Sequence, residues 1–144
     1  MSFSNILLAF DGSKASRKAL DKTVSLAKDS PSSKITVVHV IQGTAIVAGE
    51  AFVTVSDEMQ KQIYEHSAQL LEEAKLALAP LSNPSEYMQL EGPAAKAILD
   101  CAEEQGCDLI VIGSRGLGGI REWVLGSVSH NVVQHAKIPV LVVK

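Results

Sequence analysis

Two short segments carry residues whose types and spacing could do chemistry. Gly113-Ser114-Arg115-Gly116-Leu117-Gly118-Gly119 follows the apolar run Leu109-Ile110-Val111-Ile112, and Gly126-Ser127-Val128-Ser129 comes next, with nine residues between Gly116 and Gly126. Glycines in such a loop reach φ > 0 without a Cβ clash and let backbone N–H groups approach a bulky anion. A helix starting near Ser127 adds the unpaired N–H groups of its first turn and its dipole, both of which favour negative charge, while the Ser127 and Ser129 hydroxyls add donors. The chemistry these residues suit is the binding of a phosphate chain. The second segment, Asp11-Gly12-Ser13, places a carboxylate directly after the apolar run Ile6-Leu7-Leu8-Ala9-Phe10. The plainer reading is that the glycines only turn the chain and that Ser127 only caps its helix.

The glycine loop matches neither common phosphate motif. No Gly-Lys-Ser/Thr occurs, and Gly116-Leu117-Gly118 continues to Arg121 where a dinucleotide fingerprint has its third glycine. Arg115 and Arg121 lie where a guanidinium could reach phosphate or stay solvated. The only tryptophan, Trp123, falls between Gly116 and Gly126. His39, inside an apolar run, reads as a packed histidine with one hydrogen bond, and His130 and His135, five apart on one helix, point to different faces. Asp100, Glu103 and Glu104 read as a solvated helix face.

The elements that must position these residues can be read from hydrophobic periodicity. Ile6–Phe10 reads as a strand buried on both faces, which is the habit of parallel sheets. Ala15, Ala19, Leu20, Thr23, Val24 and Ala27 recur at three- and four-residue steps, predicting a helix from about Ser13, its N-cap, to Lys28. Ile35–Ile41 is a β-branched strand. Residues 42–56 are long and apolar for a connection and are expected to form a covering loop or lid. From Asp57, Met59, Ile63, Leu70, Leu71, Ala74 and Leu78 mark a long helix stopped by Pro80. Tyr87–Leu90 is a weaker strand, followed by a helix with Pro93 in its first turn and Gly106 at its close. Leu109–Ile112, a helix from Ser127 to about Ala136, and Val140–Val143 complete the alternation, which means a parallel sheet with helices on both faces.

Composition agrees with one globular domain. There are 144 residues, 47% hydrophobic and 20% charged, with a formal net charge of -3 that excludes the basic footprint of a nucleic-acid binder. Cys101 and Cys107 are too few for a disulfide framework and lack Cys-x-x-Cys spacing. Cys101 falls on an apolar helix face and reads as inert packing. No basic region precedes the first apolar run, and Asp11 and Gly12 break that run, so neither export nor a membrane span is expected. A cytoplasmic location is the expectation.

Gly113-x2-Gly116-x9-Gly126-Ser127, after a buried strand and before a helix, resembles the nucleotide signature of the universal stress protein family. The resemblance runs from Asp11-Gly12-Ser13 through Val38-His39-Val40 to Pro139-Val140-Leu141-Val142-Val143. It implies a single-domain Rossmann-like α/β fold over residues 1–144: a five-stranded parallel sheet in the order 3-2-1-4-5 with helices on both faces. Ligands bind such sheets where the strand order reverses, here between the first and fourth strands. In ATP-binding members the acidic residue after the first strand contacts the ribose or the metal-bound phosphates. Asp11 matches it, with Ala9 and Phe10 beside it. The backbone at Val40 matches the adenine contact, and Ile112, Gly113, Gly116, Gly126, Ser127, Val128 and Ser129 match the contacts to ribose and phosphates. The implied ligand is ATP, with Mg or Mn held mainly by the phosphates. Family members also pair the last strand with its two-fold mate, so a homodimer through Val140, Leu141, Val142 and Val143 is expected.

The function this implies is a nucleotide-dependent regulatory module with at most slow hydrolysis. No Ser/His/Asp set or phosphoryl-transfer lysine accompanies the glycines. Two other classes stay open: a transferase that activates an acceptor with the nucleotide, and a nucleotide-free interaction or chaperone-like protein.

Overall fold

The computed structural model describes residues 2–42, 45–48, 51–54, 56–115 and 125–144, and of 45–48 and 51–54 the backbone alone. Gly116, Arg121 and Trp123 therefore lie outside the described residues. Strand β1 (Asn5–Ala9), helix α1 (Lys14–Asp29) and strand β2 (Lys34–Ile41) form the first βαβ unit. Strands β3 (Ala45–Ala48) and β4 (Ala51–Thr54) come next, then α2 (Asp57–Leu78), β5 (Ser85–Glu91), α3 (Ala94–Glu104), β6 (Leu109–Gly113), α4 (Ser127–His135) and β7 (Val140–Val143). The main sheet runs β5-β2-β1-β6-β7, all parallel. Counting its five strands in chain order, that is 3-2-1-4-5. The reversal falls between β1 and β6, as expected.

The sheet alternates its side chains between two cores. Ile6, Leu8, Phe10, Ile35, Val37, Leu109 and Val111 face one way and meet Leu20 of α1 and Leu70, Leu71 and Leu78 of α2. Leu7, Val38, Ile110 and Ile112 face the other and meet Ile98 and Cys101 of α3 and Val132 of α4. This period-two split explains why the central strands read as unbroken apolar runs: both faces are covered. Cys101 and Cys107 are free, buried thiols. Desolvation pushes Cys107 up to about 11, so it packs as a small apolar group rather than a nucleophile.

Three expectations need correction. Residues 42–56 include a two-stranded antiparallel hairpin, Ala45 opposite Thr54 and Ala48 opposite Ala51, rather than a loop. Its Ile46, Val47, Phe52, Val53 and Thr54 are the β-branched and aromatic residues that a pleated ribbon favours. Pro93 is the N-cap of α3 and not a residue of its first turn. Met59 belongs to α2 but is 52% exposed, because the first turns of α2 run past the edge of the core that Leu70 begins.

Candidate functional site

Position in the sheet accounts for how the site forms. Residues facing β1 from β2 are the even-numbered ones: the Lys34 N–H donates to Ser4 O, and the Phe10 N–H to Val38 O. Odd-numbered residues face β5, where the Ile35 N–H donates to Pro84 O and Ile41 O accepts from Gly92. The β1 pairing stops at Ala9 opposite Val38. Val40 is the next even residue, so its N–H and C=O point toward the space β1 has left, with no backbone partner there among the described residues. A free donor and acceptor on one strand end can read the edge of a planar heterocycle.

Across this space lies the start of α4. Gly126 is its N-cap, and among the described residues no side chain caps it. The first helical bond runs from His130 N–H to Gly126 O at 2.9 Å, which leaves the Ser127, Val128 and Ser129 amides without an intrahelical acceptor. The contrast with α1 is sharp. There Ser13 Oγ accepts from the Ser16 amide at 3.1 Å and donates to Arg115 O at 3.3 Å, so that helix start is closed. Asp11 Oδ1 accepts from the Ser13 amide at 2.9 Å, which fixes the turn after β1.

Between the two ends lies a cavity of about 400 Å³. Ala9, Phe10, Asp11, Val40, Ile112, Gly113, Gly126, Ser127, Val128 and Ser129 all line it. The structure thus brings together every described residue that the sequence singled out as binding. Ser13 and Ser16 join them from the start of α1, Arg115 from just after β6, and Val38, Gln42, Ala94 and Ile98 complete the lining. Gln42, Ala94 and Ile98 were not anticipated. Gln42 lies just past the end of β2, and Ala94 and Ile98 sit four apart at the start of α3. The rule that pointed to Asp11, that ligands gather at the carboxyl ends of parallel strands, would have found them.

The glycine and serine roles differ from expectation. Gly126 has φ -67° and ψ 163°, ordinary extended backbone, and Gly113 is not among the positive-φ glycines of the described residues, which are Gly12, Gly92 and Gly106. Gly113 serves close approach instead: a Cβ there would lie 2.7 Å from the Ala15 carbonyl carbon and 2.8 Å from Ser16 N. The Ser129 hydroxyl is committed to Ser114 O at 2.7 Å, with Gly126 O at 3.1 Å, and the Gly126 amide also donates to Ser114 O. Ser114 O therefore ties the end of β6 to the start of α4. Ser127 is the first residue of the helix and is exposed rather than a cap.

His39 bears out its reading as a packed residue. Its Nδ1 lies 2.6 Å from Ser67 Oγ, a fully buried hydroxyl on α2. Burial lowers its pKa, with His66 acting in the same direction and Asp11 opposing. Arg115 is half-buried, and its Nη2 is out of contact with water and without a hydrogen-bond partner among the described residues. Among the described residues no group of three His, Cys, Asp or Glu side chains could hold a metal ion, and no helix is long and apolar enough to cross a membrane.

With the geometry in hand, comparison with known proteins is specific. The Universal stress protein family profile matches residues 2–144. Universal stress protein YxiE of Bacillus subtilis is 38% identical over 148 residues, covering 99% of both chains. The solved structure of hypothetical protein MJ0577 superposes with a TM-score of 0.84 at 25% identity, covering 100% of this chain and 97% of that one. A universal stress protein crystallised with cAMP superposes at 0.74, also at 25% identity, covering 100% of this chain and 99% of its own. The chain belongs to the universal stress protein family.

Proposed function

We propose that this chain binds an adenine nucleotide, ATP in its working form, in the crevice between β1 and β6, and that it acts as a nucleotide-dependent regulator. The observation that carries the reading is the pairing, across one cavity, of a Val40 backbone and an α4 start that both lack partners among the described residues. The first suits a base and the second a phosphate. A cavity of about 400 Å³ falls in the range of small-molecule sites, roughly 300 to 1,000 Å³. Asp11 lines the same cavity, and in this reading it meets a ribose hydroxyl or a divalent ion, Mg or Mn, carried in on the phosphates. Arg115 adds a cation on the phosphate side. A family member crystallised with cAMP supports the ligand class.

Titration calorimetry with ATP, AMP and adenosine tests this, together with a mass spectrum of the non-denatured protein for nucleotide retained on purification. Both nucleotides are expected to bind, and adenosine more weakly because it leaves the α4 amides unanswered. Protein that takes up none of the three sinks the reading.

The second part of the proposal is a homodimer through β7. That strand closes one side of the sheet, and Val140–Val143 are all half-buried in the single chain, so an apolar strand with no further strand beside it among the described residues stands at an edge. An isologous strand pair would cover it. Light scattering is expected to give twice the 15.3 kDa chain mass at micromolar concentration. A monomer there removes the assignment.

A further inference from the structure

We infer that Arg17, which does not line the cavity, is a positioning residue for it: its guanidinium clamps the Asp11-Gly12-Ser13 turn to helix α2 and so holds the Asp11 carboxylate at the rim. The inference rests on the nucleotide reading of that cavity. Arg17 Nη1 donates to Gly12 O, the carbonyl between Asp11 and Ser13. The same planar group donates from Nε to Glu73 Oε2 at 2.8 Å and from Nη2 to Glu73 Oε1 at 2.9 Å. One guanidinium therefore bridges a loop carbonyl and a carboxylate on another helix, with the fork geometry that lysine cannot supply.

Helix α2 touches this turn a second time. Gly12 has φ +80°, and a Cβ on it would lie 2.6 Å from Leu70 Cδ2, so the turn rests directly on Leu70, one helical turn before Glu73. The Asp11 side chain is in turn oriented by the Ser13 amide it accepts. The chain of contacts runs Glu73, Arg17, Gly12, then Asp11 and Ser13. The Arg17 and Glu73 side chains are 51% and 41% exposed, and ion pairs so exposed add little to stability. What the clamp fixes is geometry: it sets where the Asp11 turn stands, and the directional hydrogen bonds of the Asp11 carboxylate depend on that placement.

A double-mutant cycle with Asp11 tests this. Arg17→Ala is expected to raise the AMP dissociation constant about 3- to 10-fold, Arg17→Lys less, and Glu73→Gln in the same direction as Arg17→Ala. In an Asp11→Ala background, Arg17→Ala should change the constant less than about twofold, because the group it positions is gone. Hydrogen exchange of the Ser13 amide in the free protein, read without any ligand, should speed about tenfold in Arg17→Ala while the α1 interior is unchanged. Losses that multiply in the cycle, or Ser13 exchange equal to wild type, overturn the clamp. Wild-type protein that binds no AMP overturns the nucleotide reading instead, and Ser13 exchange alone then decides whether Arg17 holds the turn.

Discussion

Gly113→Ala is expected to destabilise the protein by about 3 kcal/mol, the upper end of overpacking costs, and to lower the melting temperature by roughly 6 to 12 °C. The added methyl would meet the Ala15 carbonyl carbon at 2.7 Å, Ser16 N at 2.8 Å and Ala15 Cβ at 2.9 Å. Two of these are backbone atoms in the first turn of α1, so no rotamer change relieves the contact. Relief requires α1 to slide away from β6. That movement would also pull Ser13 from Arg115 O and shift the Asp11 turn, so surviving folded protein should bind nucleotide more weakly as well. Gly92→Ala is the comparison: no atom of the described residues lies within 4 Å of its added methyl, and its φ of +110° is what opposes the change. A calorimetric scan in which Gly113→Ala melts within about 2 °C of wild type would show that α1 and β6 are not in close contact at this point.

This glycine also shows what could be read from the sequence. That a glycine was needed at the end of β6 was legible from its place between a buried strand and a loop; of the two causes expected there, positive φ does not hold, and the close approach the structure gives is to α1. Close approach between α1 and β6 is a contact between elements about 100 residues apart, and no local pattern contains it. The five main strands and four helices were legible because Leu109–Ile112 and Ile6–Phe10 are apolar on both faces and α1 keeps helical spacing. The β3–β4 hairpin was not, since four-residue strands give too few alternations to separate from an apolar loop. The site was legible through Asp11 and Gly126 because both come at strand or loop ends. Arg17 and Ser67 were hidden, since an exposed helical arginine and a helical serine carry no signal until α2 is packed against them.

Ser127→Pro should separate the phosphate from the rest of the ligand. Ser127 is the first helical residue of α4, where a missing N–H breaks no intrahelical bond and proline's fixed φ suits the helix. Gly126, at φ -67° and ψ 163°, already holds the extended conformation that a following proline demands. The variant should fold and melt near wild type. It lacks, however, both the Ser127 amide and its hydroxyl, donors of an exposed residue that lines the cavity. Losing one charge-assisted hydrogen bond costs about 1.5 to 3 kcal/mol, which raises the AMP and ATP dissociation constants roughly 10- to 100-fold. Adenosine, which presents no phosphate, should bind as before. Ser129→Ala is the informative contrast. Its hydroxyl is already given to Ser114 O, so removing it should cost about 1 kcal/mol of stability while leaving the ratio of AMP to adenosine affinity unchanged. If Ser127→Pro weakens adenosine as much as AMP, the α4 start shapes the cavity without reading charge, and the phosphate must be held elsewhere.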